Sequence, residues 1–185
     1  MPSPVPRSKQ TPNVVSRASK LVLASEEDAP AIAALRMAAA DSLTREYGPG
    51  HWSSAVSERG VLHAMRTSRV FVMRRGGKLV ATLRLATKKP WAIDTSYFTA
   101  CTRPLYLTDM AVAPSSQRRG IGRLCVDQAR DFARAWPGDA IRLDAYDAAA
   151  GAGPFYAKCG FREVGRVTYR GTPLVYFEML LQGAA

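Results

Sequence analysis

The sequence predicts a single-domain mixed α/β fold: a mostly antiparallel twisted sheet flanked by helices, with one parallel strand pair. Three observations carry this. At 185 residues the chain is long enough to bury one sizeable core and matches the usual size of one domain. β-rich runs and helical patterns follow one another in the order β-α-α-β-β-β-α-β-α-β-β. Between the runs Pro104–Val112 and Ala140–Tyr146 lies a helical segment, the kind of crossover that parallel neighbours need, whereas tight turns join antiparallel ones.

The first twenty residues, MPSPVPRSKQTPNVVSRASK, are Pro- and Ser-rich and hold Arg7, Lys9, Arg17 and Lys20 but no acid. Residues 1–19 therefore read as a flexible basic tail, without the apolar centre of a secretory signal, and residues 20–185 as the folded domain. Lys20–Ala24 forms a short strand. Ser25 caps a helix whose first turn is acidic, Glu26-Glu27-Asp28, and whose start is marked by Pro30. Ile32, Leu35 and Met37 belong to its apolar face, which fades near Leu43. The turn EYGPGHWS, Glu46–Ser53, leads to a second helix over Ala55–Met65. Val70–Arg74 and Lys78–Ala86 make a hairpin around Gly76-Gly77. Thr87–Arg103 is a loop, and Pro104–Val112 a buried central strand.

From Arg118 to Trp136 the apolar positions Ile121, Leu124, Cys125, Ala129, Phe132 and Trp136 keep helical spacing. Ala140–Tyr146 is a strand, Ala148–Lys158 a short helix stopped by Gly160. Phe161–Tyr169 and Thr172–Leu181 are the last two strands, joined at Arg170-Gly171.

Composition narrows the function. Lys and Arg outnumber Asp and Glu by 26 to 15, a formal charge of +11, which favours anionic partners: nucleic acid, acidic lipid or a phosphate-bearing small molecule. No apolar run approaches the roughly 18–20 residues of a membrane span. The three cysteines, Cys101, Cys125 and Cys159, lack metal-ligand spacing and are odd in number, so no metal site is expected and a reduced, cytoplasmic setting fits.

The stretch APSSQRRGIGRL, Ala113–Leu124, poses a specific puzzle. It places Arg118, Arg119 and Arg123 at a helix N-terminus, where unpaired amides already carry partial positive charge and cations are mildly unfavourable. Gly120 and Gly122 let the backbone turn and admit a ligand without a Cβ in its way. Strand, glycine turn and helix start together make a phosphate site; the alternative is a solvated, Arg-rich first turn. The Walker pattern Gly-x4-Gly-Lys-Ser/Thr does not occur. A dinucleotide fingerprint would need a third glycine where Cys125 stands, and a direct strand-to-helix turn where seven residues separate Val112 from Gly120. Asp144, 22 residues after Gly122, suits that reading, but the 41 residues that follow it are too few for the remaining units.

DMAVAPSSQRRGIGRL resembles the acyl-CoA-binding motif of the GNAT superfamily of N-acetyltransferases, Gln/Arg-x-x-Gly-x-Gly/Ala after a strand, with Gln117, Gly120 and Gly122 at its fixed positions. GPFYAKCGF, Gly153–Phe161, resembles that superfamily's second hallmark, Phe-Tyr followed by Gly-Phe. The likeness spans about residues 20–182 and implies a parallel strand pair splayed at the acyl-CoA site. It implies that Met110, Ala111 and Val112 hold the pantetheine arm of acetyl-CoA, the cosubstrate. Gln117, Arg118, Arg119, Gly120, Ile121, Gly122 and Arg123 would hold its pyrophosphate. Tyr156 would protonate the departing CoA thiolate, feasible because a phenol titrates near 10 and a thiol near 8.5.

The expected reaction is direct transfer of an acetyl group to an amine on a small molecule, peptide or protein. An amine attacks only when deprotonated. Glu46, His51, Asp94 and Asp109 are the candidate bases, Asp109 and Glu46 foremost. Trp52, Trp91, Tyr97 and Phe98 either wall an acceptor pocket or cover the sheet. Cys125 and Cys159 have no His base nearby and are poor nucleophiles. Many members carry Asn seven residues before the Tyr; here Ala149 stands there, and Asp147 is the substitute helix cap. A basic nucleic-acid-binding or acyl-CoA-sensing module without catalysis is the alternative, although no helix-turn-helix, zinc-finger or RNP pattern is present. A monomer or homodimer is expected, with no membrane partner.

Overall fold

In the computed structural model, which describes residues 19–181, seven strands form one sheet in the order β1-β2-β3-β4-β5-β7-β6. The strands are β1 (Leu21–Leu23), β2 (Arg69–Arg75), β3 (Lys78–Ala86), β4 (Pro104–Val112), β5 (Ala140–Tyr146), β6 (Arg162–Tyr169) and β7 (Thr172–Leu180). The helices are α1 (Ala29–Tyr47), α2 (Glu58–Thr67), α3 (Ile121–Ala135) and α4 (Gly153–Lys158). Every strand pairing is antiparallel except β4 with β5, as the helical crossover α3 requires. The basic tail expected over residues 1–19 lies almost wholly outside the described residues.

Side-chain alternation splits the sheet into two faces. On one, Phe71, Met73, Leu83, Leu105, Leu107, Ile141, Leu143, Val175 and Phe177 pack against Ile121, Cys125, Val126, Ala129 and Ala133 of α3 and Tyr156 of α4. On the other, Val70 and Val72 meet Ile32 and Ala33 of α1 and Val61 and Ala64 of α2. The 87–103 segment lies over that second face farther along, where Ile93 and Phe98 bury Tyr106 and Tyr176. It is latched by a buried pair: Arg142 Nε donates to Glu178 at 3.3 Å, and Glu178 also accepts from the Thr99 amide at 3.2 Å. These side chains are 5 % and 1 % exposed.

Several element ends shift from the sequence-based expectation by one or two residues, and four departures at the helices matter more. A 3-10 turn, Glu26–Asp28, precedes α1, and α1 continues past Leu43 to Tyr47. The second helix begins at Glu58 rather than Ala55 because Ser57 is its cap, accepting from the Gly60 amide at 3.1 Å. Arg118 and Arg119 precede α3 rather than belonging to it; Arg118 (φ 59°) and Gly120 (φ 78°) are left-handed, which breaks the helix there. The fourth helix is confined to Gly153–Lys158, since residues 148–151 turn back with a Gly151 amide to Ala148 carbonyl bond of 2.8 Å. A Cβ on Gly151 would lie 1.8 Å from the Tyr146 carbonyl oxygen. Asp147 is not the cap of α4: Arg166 Nη1 holds it at 3.0 Å, and Ala152 takes the N-cap position with no side-chain bond.

Candidate active site

The site begins with a failure of two parallel strands to stay paired. β4 and β5 match at only three residues, Pro104 to Tyr106 against Ala140 to Arg142. Beyond them β4 keeps β3 on one side and β5 keeps β7 on the other, so a gap opens between residues 107–112 and 143–146. The backbone polar groups that β4 turns toward this gap have lost their sheet partner and are available to a ligand. Within the gap β4 carries a bulge. Thr82 pairs with Ala111 and Arg84 with Thr108, so Asp109 and Met110 share the place opposite Leu83. Asp109 adopts φ 55° there, a left-handed conformation that costs a non-glycine residue about 1–2 kcal/mol. Its carboxylate is gripped by Arg36 Nη2 of α1 at 2.7 Å and Arg84 Nε of β3 at 3.2 Å, which pins the bulge.

After β4 the chain reaches α3 through a turn tied back by Gln117, whose Nε2 donates to the Val112 carbonyl at 3.1 Å. The first bond into α3 runs from the Leu124 amide to the Gly120 carbonyl, 3.0 Å. The amides of Ile121, Gly122 and Arg123 therefore have no acceptor within the helix. Exposed Arg118, Arg119 and Arg123 surround this end, and Arg123 Nη1 also donates to the Lys158 carbonyl at 2.7 Å. Together they make this end of the cleft strongly positive, the character that suits an anion.

Two cavities meet in the gap. A cleft of about 600 Å³, bordered by α3 and α4, is lined by Met110, Ala111, Val112, Gln117, Arg118, Gly120, Gly122 and Arg123, with Phe155, Lys158 and Cys159 opposite. A second cavity of about 410 Å³ lies under the segment joining α1 to α2 and is lined by Arg36, Ala40, Trp52, Val56, Asp109, Asp144 and Tyr146, among others. Ala39, Leu43, Met110, Ala111, Ala152 and Tyr156 line both. Tyr156 thus stands at the junction. Its ring is held by Phe155, Phe161 and Phe177 with centroids 5.2, 5.6 and 6.2 Å away. Its hydroxyl has no stronger partner among the described residues than the Met110 sulfur, 3.8 Å distant. Burial pushes the phenol well above its ordinary pKa, with the Cys159 thiol and Asp144 adding to the effect. A phenol so placed keeps its proton at neutral pH.

Asp144 faces the second cavity from β5. Burial raises its pKa, opposed in part by its own backbone amide, and it joins no ion pair among the described residues. A carboxyl so placed accepts a proton more readily than an ordinary aspartate. Tyr146, two residues on, stacks on His51 at 6.0 Å and meets Trp52 edge-on at 5.8 Å. His51 Nε2 lies 2.8 Å from Thr172 Oγ1, so the 48–56 segment is fastened across the cavity mouth. The Trp52 indole N–H is buried there without a partner among the described residues.

The expected cofactor residues converge, with two exceptions. The Ile121 side chain is 4 % exposed and part of the core, leaving its amide to serve, and Arg119 stands outside the cleft lining. Of the expected bases, Asp109 is in the cavity but bound to two arginines, whereas Glu46 is exposed in the last turn of α1 and lines neither cavity. His51 is committed to Thr172, and Asp94 caps a 3-10 turn at Thr95–Tyr97. Of the four aromatics, Trp52 alone lines a cavity. Trp91 is 85 % exposed, Phe98 is buried against Tyr106 and Tyr176, and Tyr97 packs on Tyr176. Sequence reasoning passed over Arg36, Lys158 and the role of Asp144. The alternation Ile141-Leu143-Ala145 against Arg142-Asp144-Tyr146 was the signal for Asp144, since it puts the polar set on one face of β5.

The sequence matches the model of the acetyltransferase (GNAT) family over residues 37–161. A search of curated proteins finds none that match. Among solved structures, the chain resembles a GNAT-family acetyltransferase from Streptococcus agalactiae, with TM-score 0.70, 14 % identity, and 91 % of this chain and 98 % of that one covered. It also resembles the ribosomal-protein-S18-alanine N-acetyltransferase from Escherichia coli, with TM-score 0.67, 18 % identity and coverage of 90 % and 96 %. A putative acetyltransferase from Salmonella typhimurium, solved with its cofactor acetyl-CoA, aligns with TM-score 0.64, 17 % identity and coverage of 91 % and 98 %.

Proposed function

The chain belongs to the acetyltransferase (GNAT) family, and from that premise we propose that it transfers an acetyl group from acetyl-CoA directly to an amine. The observation that carries this is the junction of the two cavities at Tyr156, with an anion site at one end and a protonatable carboxyl, Asp144, at the other.

Donor binding draws on backbone and charge together. The pyrophosphate sits against the free amides of Ile121, Gly122 and Arg123, with Arg118 and Arg119 supplying counter-charge. The pantetheine arm extends along the unpaired edge of β4 at Met110, Ala111 and Val112, acting as a substitute strand where β5 has departed. This delivers the thioester to the gap beside Tyr156. Family members use acyl-CoA, and the Salmonella neighbour holds acetyl-CoA.

In the acceptor cavity Asp144 takes the proton from the amine, directly or through one water, and the amine attacks the thioester carbonyl. Its raised pKa suits a base that must be ionised at neutral pH yet hold a proton afterwards. The tetrahedral oxyanion collapses with cleavage of the C–S bond, and Tyr156 gives its proton to the sulfur. Cys125 and Cys159 take no part: burial pushes the Cys125 thiol up to about 12, and Cys159 is also raised.

Thermal unfolding with acetyl-CoA, CoA and NAD tests the donor assignment, because a ligand of the folded state raises Tm by mass action. Acetyl-CoA and CoA should each raise it and NAD should not. Arg119→Glu should weaken the CoA shift most strongly at low salt, where exposed charges are least screened. No shift with either CoA compound would overturn the proposal, and thiol release on an amine panel then tests transfer.

A further inference from the structure

We infer that the acceptor carries a carboxylate as well as an amine, an amino acid or a close analogue, and that Arg36 receives the carboxylate. The inference rests on the acetyl-transfer reading and names the substrate class of the same site.

Charge balance at the cavity wall is the starting point. Two guanidiniums, Arg36 and Arg84, share the one carboxylate of Asp109, so this triad carries one uncompensated positive charge. Arg84 does not line the acceptor cavity; it borders, with Arg36 and Asp109, a separate small space, and its Nε also donates to Thr108 Oγ1 at 2.8 Å. Arg36 lines the acceptor cavity itself, with its side chain 24 % exposed. Among the described residues its single hydrogen bond is that from Nη2 to Asp109 Oδ1. A guanidinium has five N–H donors in a fixed fork, so most of this one is idle beside the space the acceptor fills.

The opposite wall has the complementary character. Asp144 is a carboxyl with no cationic partner among the described residues, placed on β5 across the gap from β4. A simple alkylamine, protonated before reaction, would be drawn to Asp144 but repelled by the surplus charge at Arg36. A carboxylate on the same molecule converts that repulsion into a charge-assisted, planar and potentially bidentate contact, the geometry for which Arg is suited. Much of the remaining wall is made of small side chains, among them Ala39, Ala40 and Ala145, with the Trp52 indole beside them. A volume of about 410 Å³ is at the lower end of small-molecule pockets and suits a compact acceptor.

The test uses matched acceptor series in a thiol-release assay with acetyl-CoA. Each series contains an amino acid, its primary amide, its decarboxylated amine and its aminophosphonate. The expected result is that kcat/KM for the amino acid exceeds that for the amide and the amine by about tenfold or more, mainly through KM. Arg36→Met should reduce that ratio toward one, and Arg36→Lys should restore part of it. Arg84→Met, which breaks the other half of the Asp109 clamp, should keep the ratio even if it slows turnover. That separates carboxylate recognition from support of the bulge. Equal or better turnover of the decarboxylated amines would overturn the inference while leaving acetyl transfer intact, and so would equal loss of the ratio in both arginine variants. A preference for the aminophosphonate would overturn the carboxylate assignment. Acetyl-CoA binding without acetylation of any series member would also overturn it, whereas failure to bind acetyl-CoA at all would overturn the acetyl-transfer reading beneath it.

Discussion

Tyr156→Phe separates chemistry from architecture because the hydroxyl contributes so little to the fold. The ring is fully engaged by three phenylalanines, and Phe preserves those contacts. The hydroxyl gives up only a weak contact to the Met110 sulfur at 3.8 Å, so no strong acceptor is orphaned and stability should change by less than about 0.5 kcal/mol. Catalysis should respond very differently. A positioned acid typically contributes about 10²-fold or more, which at 1.36 kcal/mol per decade is roughly 2.7 kcal/mol of barrier. The assay is CoA thiol release at saturating acceptor, with Tm and acetyl-CoA binding measured on the same preparation. The expected outcome is kcat down about a hundredfold with both controls unchanged. Full kcat at every pH tested would refute the assignment of Tyr156 as acid. A loss of kcat that follows a fall in Tm would show that the hydroxyl supports packing instead.

Asp144→Asn should lower kcat by about 10²-fold and abolish the rise of rate with pH, because the wild-type base works only once ionised above its raised pKa. Its effect on stability has the opposite sign. Between the ordinary carboxylate value near 3.9 and the raised value, the folded protein retains a proton that the unfolded chain has released. Wild-type stability therefore falls as pH climbs through that window, and the Asn variant should not show the fall; identical denaturation curves against pH would refute the desolvation argument. Glu178→Gln removes the partner of a guanidinium that is 5 % exposed, and should cost about 3–5 kcal/mol. On a domain of this size that lowers Tm by about 10 °C; calorimetry showing less than about 1 kcal/mol would refute it.

The element order and the glycine turn at the start of α3 were legible in the sequence because local chemistry writes them directly. Gly120 announces a left-handed turn, Gly76-Gly77 a hairpin, and the spacing of Ile121, Cys125 and Ala129 a helix with one buried face. Gly120 allows the turn, Gly122 leaves room beside Phe155, and the Gln117 side chain ties the turn back to Val112, so their identities mark their places. The acceptor half was less legible because it is assembled from distant elements. Nothing adjacent in sequence tells that Arg36 of α1 meets Asp109 of β4, 73 positions later. Nor does local pattern show that Trp91 faces solvent while Trp52 reaches the cavity, since an aromatic in a loop serves either end equally well. Asp144 was visible but attached to a dinucleotide reading, and the splay of β4 from β5 is what gives it a different neighbourhood.

That splay has a kinetic meaning. The donor cleft opens beside α3 and α4, and the acceptor cavity opens beneath the α1–α2 connection, with the two joined at Tyr156. On the proposed reading each substrate has its own doorway. Neither would have to leave before the other enters, so both could be present together and transfer would need no acetyl group parked on the protein. The doorways also belong to different stretches of chain, one to the Gln117–Arg123 turn and the other to Arg36, Trp52 and Tyr146. Substitutions at the second doorway can retune which amine is accepted while the grip on the nucleotide end of the donor stays as it is.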